Sequence, residues 1–96
     1  MAKTKADDLY RHVEEVWDTI WTAYREHESK RPVILYDVQA KRVYAYPYKA
    51  FRDDLSERSQ EMLRKQYQQA RKDNEIVVFV RDNVKEKLVS YSLSAE

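Results

Sequence analysis

The sequence predicts an α+β fold in which a helix and a β-hairpin occur twice in the same order. Two stretches carry apolar residues at helical spacing, each is followed by two short β-rich runs, and the two halves resemble each other at an offset of 43 residues. We expect one domain over residues 1–96, because a chain of this length has room for one core. The expected architecture is a four-stranded antiparallel sheet covered on one face by two helices.

The first predicted helix spans residues 6–28. Asp7 and Asp8 suit the positive end of the helix dipole, and Pro32 lies beyond the predicted end. Its apolar residues recur at spacings of three and four, which places them on one helical face: Leu9, Val13, Val16, Trp17, Ile20 and Tyr24.

The first hairpin is predicted over residues 33–46, where the runs 33–38 and 42–46 are rich in β-branched and aromatic residues. Pro47 ends the second run. Because no residue in this turn readily takes a positive φ, we expect an ordinary type I turn.

The second predicted helix spans residues 48–73, with residues 48–55 as a separate short turn in an alternative interpretation. Its start is ambiguous, because Asp54 and Ser56 each begin a capping pattern. The second hairpin is predicted over residues 76–93. Without glycine, Asn74, Asp82 and Asn83 are expected to take the strained backbone positions.

The two halves align well enough to suggest an internal duplication. The offset of 43 residues pairs Ile20 with Leu63, and the runs 33–36 with 76–79. Chance similarity between two amphipathic helix-hairpin units would produce much of this pattern, so duplication stays a hypothesis. In its register, Tyr44 and Tyr46 lie on the same sheet face as Val89 and Tyr91.

The strand patterns also predict a partner. The fourth strand alternates between apolar and more polar residues, as in a half-exposed strand, whereas the first and third, VILYDV and IVVFVR, are apolar on both faces. Something must therefore cover the second face of the sheet, and a second copy of the chain is the simplest cover.

Composition excludes several classes of site. The chain has no glycine, although average usage predicts about seven in 96 residues, so phosphate-binding loops and nucleophile elbows are absent in their standard form. It has no cysteine and only two histidines, so we expect no cofactor and no metal. With no membrane-length apolar run and no signal-peptide core in residues 1–8, a cytoplasmic location is expected.

Positive charge is concentrated in one quarter of the chain. The net charge of +1 divides into −3 for residues 1–29, +5 for residues 30–52, −1 for residues 53–75 and zero for residues 76–96. Cations interleaved with tyrosines are typical of single-stranded nucleic-acid binding. The candidate binding residues are Lys30, Arg31, Tyr36, Lys41, Arg42, Tyr44, Tyr46, Lys49 and Arg52. Packing inside a half-buried sheet explains the tyrosines more simply.

Two smaller patterns have a functional and a structural interpretation. Asp8, His12 and Glu15 could converge on one helix face and bind a metal or assist a proton transfer, although a solvated helix surface is favoured. Ser59 and Gln66 fall near the inward arc of the second helix. Either they border a small pocket or a pseudo-symmetric helix contact, or Ser59 lies in the first turn near solvent and Gln66 lies at the margin of the apolar stripe. The second interpretation is favoured.

The sequence predicts a small non-enzymatic protein-interaction module. We expect a homodimer that binds a partner protein through its sheet surface or through the basic first hairpin, with no catalytic residues. The alternative is a single-stranded nucleic-acid-binding module that uses the basic, tyrosine-rich segment 30–52.

Overall fold

Pairs of helices are followed by pairs of strands, twice, along the part of the chain that the computed structural model describes, residues 9–94. The elements are α1 (Tyr10–Glu15), α2 (Trp17–Glu26), a 3₁₀ turn (Glu28–Lys30), β1 (Val33–Asp37), β2 (Arg42–Tyr46), α3 (Tyr48–Asp53), α4 (Glu57–Asp73), β3 (Glu75–Asp82) and β4 (Lys87–Ser94). The predicted α+β class is confirmed. The predicted helix start at residues 6–8 lies outside the described residues.

The first predicted helix is divided in two at Val16, which has φ −113° and ψ 21°. Hydrogen bonds continue through the bend, because the Val16 N–H donates to the His12 carbonyl at 3.1 Å and the Val16 carbonyl accepts the Ile20 N–H at 2.9 Å. The bend allows α1 to contact β3 while α2 contacts β1 and β2. One amphipathic stripe therefore packs across the sheet from β2 to β4.

The second predicted helix is also divided: residues 48–55 are separate from α4, as in the alternative interpretation, but they contain the short helix α3 and not only a turn. Ser56 begins α4, since its hydroxyl oxygen accepts the Ser59 N–H at 3.3 Å. Asn74 ends α4 in the left-handed conformation, with φ 56° and ψ 51°. The expectation for Asn74 is thus confirmed.

The sheet is mixed, so the prediction of a wholly antiparallel sheet is wrong. Its strand order is β2-β1-β3-β4, with β1 and β3 parallel and each hairpin antiparallel. The connection through α3 and α4 crosses over the sheet and returns the chain in its original direction. Such a crossover requires a dozen or more residues, and residues 47–74 supply it.

The helices cover both faces of the sheet, so the prediction that two helices cover one face is also wrong. On one side, here called the α2 face, residues of α1 and α2 pack on Ile34, Tyr36, Ile76, Val78 and Val80. On the other, the α4 face, residues of α3 and α4 pack on Val33, Leu35, Val77 and Phe79. The chain's own helices therefore explain why β1 and β3 are apolar on both sides.

Corresponding residues of the two halves lie on opposite faces of the sheet. The prediction that Tyr44 and Tyr46 share a face with Val89 and Tyr91 is therefore wrong. Tyr44 and Tyr46 pack on the α4 face, whereas Val89 and Tyr91 pack on the α2 face. The parallel central strands explain this arrangement. The approximate two-fold axis that relates the halves lies between β1 and β3 and runs parallel to them, so rotation about it exchanges the two faces of the sheet. Residues that correspond in the two halves consequently lie on opposite faces.

Within residues 9–94, four residues take positive φ although none of them is glycine: Arg31 (47°), Lys41 (56°), Asn74 (56°) and Glu86 (55°). The expected type I turn without positive φ is therefore wrong at Lys41, and Glu86 takes the position expected of Asp82 and Asn83. The four residues occur at matching places, since Arg31 and Asn74 each precede the first strand of a hairpin by two residues or fewer, and Lys41 and Glu86 each immediately precede the second.

Replacing Glu86 by glycine is expected to stabilise the fold. A left-handed conformation costs a residue with a Cβ about 1–2 kcal/mol, whereas glycine loses about 0.5–1 kcal/mol more entropy on folding. Glu86→Gly should therefore raise the free energy of unfolding by about 0.5–1 kcal/mol in urea denaturation. Lys85→Gly is the control, because Lys85 has no positive φ and should lose stability. Equal losses in both variants would contradict the prediction.

Candidate interaction surface along strand β4

Strand β4 forms one edge of the sheet, and within residues 9–94 no strand pairs with its outer side. It is eight residues long and has no charged residue from Leu88 to Ser94. The opposite edge strand, β2, is five residues long, begins with Arg42 and is followed by Pro47. Short length, charge and proline protect a sheet edge from pairing with another chain. Strand β4 also begins with a cation, Lys87, but it is longer and has no proline and no further charge.

An apolar groove of about 530 Å³ lies between α4 and β4 on the α4 face. Met62 and Leu88 are at its rim and are 66% and 44% exposed. Lys65 is its charged lining residue. The other lining residues are Leu55, Ser59, Leu63, Gln66, Phe79 and Ser90. Large exposed apolar side chains beside a concave surface are typical of an interaction site.

Gln66 connects α4 to the inner side of this groove. The Ser90 hydroxyl donates to Gln66 Oε1 at 2.9 Å, and Gln66 Nε2 donates to the Ser92 hydroxyl oxygen at 3.1 Å. These bonds satisfy the half-buried amide and orient β4 against the helix. Both Ser59 and Gln66 line the groove, in agreement with the pocket interpretation, and Ser59 also lies in the first turn of α4, as the favoured interpretation predicts.

A second groove, of about 440 Å³, lies beside β4 on the α2 face. It is lined by Tyr10, Val13, Glu14, Trp17, Leu93 and Ser94. The Tyr10 ring meets the Tyr91 ring edge to face, with their centroids 5.1 Å apart. Strand β4 therefore has an apolar groove on each side, and sequence reasoning missed the pair because each groove combines residues distant in the chain.

The cations of segment 30–52 are divided between the two ends of the sheet. Lys30 and Arg31 precede β1, and Lys49 lies on α3, which begins where β2 ends. Lys41 and Arg42 lie beyond the other end of β1, about 17 Å away for a five-residue strand. The segment thus forms two separate groups of charge.

The tyrosines of the same segment are mainly packing residues. Tyr36 is 6% exposed on the α2 face, where burial raises the pKa of its phenol. The rings of Tyr44 and Tyr46 are half-buried and stacked, with centroids 5.9 Å apart, and Tyr46 also contacts Phe51. A buried or stacked ring has less surface for a nucleic-acid base.

A different aromatic group surrounds Arg52 and Arg31. Tyr48 stacks on Tyr67 with ring centroids 4.3 Å apart, and the Arg52 guanidinium lies 5.9 Å from the Tyr48 centroid. Arg52 also pairs with Asp53 at 3.1 Å, and the Tyr67 hydroxyl donates to the Arg31 carbonyl at 2.6 Å. The Tyr48–Tyr67 stack therefore joins α3 to α4, and the Tyr67 hydroxyl connects α4 to the backbone just before β1.

The two hairpin turns are joined through a buried carboxylate. Asp82 Oδ1 accepts the N–H groups of Val84 and Lys85 at 3.0 and 3.1 Å and the Gln39 side-chain amide at 3.0 Å. Gln39 Oε1 in turn accepts the Asn83 N–H at 2.7 Å. The hydrogen bond from Lys85 is the main reason that the pKa of Asp82 lies below its usual value, although burial opposes this shift.

The histidine cluster is only partly described. His12 Nδ1 lies 3.8 Å from Glu15 Oε1 on the surface of α1, and Asp8 lies outside the described residues. Among residues 9–94, no group of three or more metal-ligating side chains converges. Within that same range, no helix has the length and hydropathy needed to cross a membrane.

Comparison with known protein families, curated proteins and solved structures found no match for this chain. Function is therefore inferred from the surfaces of the molecule itself.

Proposed function

We propose that this chain is a small non-enzymatic protein-interaction module that forms a homodimer by pairing two β4 strands across a two-fold axis. The observation that carries the proposal is the long uncharged edge of β4 between two apolar grooves. The helices occupy both faces of the central strands, so the available part of the sheet is its edge.

Edge pairing buries both grooves at once. An antiparallel pair of eight-residue strands is about 27 Å long, and it joins two four-stranded sheets into one. A two-fold axis perpendicular to the sheet keeps both α4 helices on the same side. Residues opposite each other then point to the same face, and the start of each β4 lies beside the end of the other, so the two Leu88 side chains lie on the α4 face toward opposite ends of the strand pair.

A second copy fits this surface better than a charged partner does. The lining of the two grooves includes one lysine, Lys65, and one carboxylate, Glu14, and these lie on opposite faces. A homodimer brings identical, mostly apolar surfaces together and provides backbone hydrogen bonds along the strand. An internal duplication, suggested by the matching positive-φ residues, would account for the pseudo-symmetry of each copy.

The single-stranded nucleic-acid alternative has less support. Its cations lie at two ends of the sheet, and Tyr36, one of its proposed stacking residues, is buried. The cytoplasmic location expected from the sequence stays a prediction.

Analytical ultracentrifugation of the full chain tests the dimer. Wild type should sediment at twice the 11.6 kDa chain mass at micromolar concentration. Leu88→Lys places a charge on the exposed edge and should shift the equilibrium to the monomer by tenfold or more in Kd, because charge on an edge strand opposes pairing.

Val84→Lys is the matched control. Val84 is 79% exposed but lies in the turn before β4, so this variant makes the same chemical change outside the proposed interface and should remain dimeric. A wild-type monomer at 100 times that concentration would refute the homodimer. Equal dimerisation by Leu88→Lys and wild type would place the interface elsewhere.

A further inference from the structure

The two hairpin turns form one end of the sheet, which we call the tip end and define as residues 37–42 and 81–87. They lie side by side because β1 and β3 are parallel neighbours, so both strands finish at the same end. The Val38 N–H donates to the Arg81 carbonyl at 3.0 Å, and Gln39 bonds to both Asp82 and Asn83. These contacts make the two turns one connected surface.

Tertiary structure concentrates positive charge at this end. All five basic side chains of the tip end are exposed: Lys41, Arg42, Arg81, Lys85 and Lys87. Two of them belong to the first hairpin and three to the second, so the charge distribution along the chain does not reveal the group. The four strands are about 4.8 Å apart, which spreads these cations over a width of about 14 Å.

Few carboxylates at the tip end oppose these cations. Asp37 accepts the Ala40 N–H at 3.1 Å, and buried Asp82 accepts three hydrogen bonds from the two turns. Both carboxylates shape the turns, Asp82 also attracts the charge of Lys85, and Glu86 is the third acidic residue, so the tip end has a formal net charge of +2. Within the described residues, no carboxylate lies within 4.0 Å of the charged groups of Lys41, Arg42, Arg81 or Lys87.

We propose that the tip end binds duplex DNA through its phosphate backbone, without reading base sequence. Closely spaced cations on a rigid surface neutralise phosphates and release their counterions. The tip end contains no Tyr, Trp or Phe, so it has no ring on which an unpaired base could stack. Its chemistry therefore favours the dense phosphates of a duplex over a single strand.

Fluorescence anisotropy with a labelled duplex of about 20 base pairs tests the proposal. Wild type should bind with a Kd of about 10⁻⁴ to 10⁻⁶ M at about 150 mM salt, and four neutralised phosphates predict about 100-fold tighter binding at 50 mM than at 200 mM salt. The double variant Lys41→Gln/Lys87→Gln should reduce the slope of log Kd against log salt by about 1.8, since each phosphate contact contributes about 0.9.

The control variant is Lys30→Gln/Lys49→Gln, which removes the same charge from the opposite end of the sheet. It should bind the duplex like wild type. Equal weakening in both double variants would overturn the assignment to the tip end. Tighter binding to a single strand of the same length, or to anionic lipid vesicles, would replace duplex DNA as the ligand, and no binding at 50 mM salt would refute the proposal.

Discussion

Leu63→Ala is expected to lower the free energy of unfolding by about 2–5 kcal/mol, the range for removing a buried leucine side chain. Leu63 is 2% exposed and lies in the cluster that joins α4 to Val33, Leu35 and Phe79. The neighbouring helix and strands can collapse only partly into the space left behind, so the loss includes both burial and a cavity. Urea denaturation at a fixed protein concentration measures the change.

Gln68→Ala is the control on the same helix, because Gln68 is exposed. Its free energy of unfolding should stay within about 0.5 kcal/mol of wild type. A loss below about 1 kcal/mol for Leu63→Ala would mean that α4 does not cover this face of the sheet, because full burial of a leucine predicts more.

Phe51→Ala is expected to cost about 3–5 kcal/mol, since a buried aromatic ring is removed. Phe51 is 6% exposed, and its ring centroid lies 4.7 Å from that of Phe79 and 5.8 Å from that of Tyr46. With six residues, α3 is too short to be stable by itself, so this ring is its main anchor.

Two measurements distinguish loss of the anchor from general destabilisation. Hydrogen exchange in residues 48–54 should become faster than exchange in β3, because the anchored segment opens first. Lys49→Ala changes an exposed residue of the same helix and should leave both stability and exchange close to wild type. If exchange accelerates uniformly across the sheet in Phe51→Ala, α3 is not a separately anchored segment.

Local patterns were sufficient to locate most elements. Helical spacing of the apolar residues indicated the two amphipathic stretches, and β-rich runs bounded by proline or turn residues indicated four strands. Asn74 was recognised as a left-handed cap because asparagine tolerates this conformation better than most residues. These features depend on neighbours within a few residues, so the sequence contains the information directly.

The direction of β3 and the side on which α4 packs were predicted wrongly. A strand that is apolar on both faces must be covered twice, but the pattern does not say by what. Here α2 covers one face and α4 the other. Lys41 and Glu86 were missed as positive-φ residues because the length of each turn, and not an intrinsic preference of lysine or glutamate, imposes that backbone conformation.

The candidate surfaces show the same division. Gln66 is a polar residue on the inward arc of a helix, so the sequence marked it as a residue that needs hydrogen-bond partners. In the structure Ser90 and Ser92 are those partners. The grooves beside β4 and the cations of the tip end could not be found from the sequence pattern. Each combines residues from separate halves of the chain or from elements that meet only after folding.

The sequence by itself determined the order of helices and strands, the residues that must be buried, and the lack of charge along β4, because these follow from composition and short-range periodicity. Only the tertiary structure decided that the central strands are parallel and that the helices lie on opposite faces. Those two facts depend on how the chain crosses over the sheet between β2 and β3. The crossover leaves β4 as one edge of the sheet within residues 9–94 and brings both hairpin turns, with their five cations, to one end of the molecule.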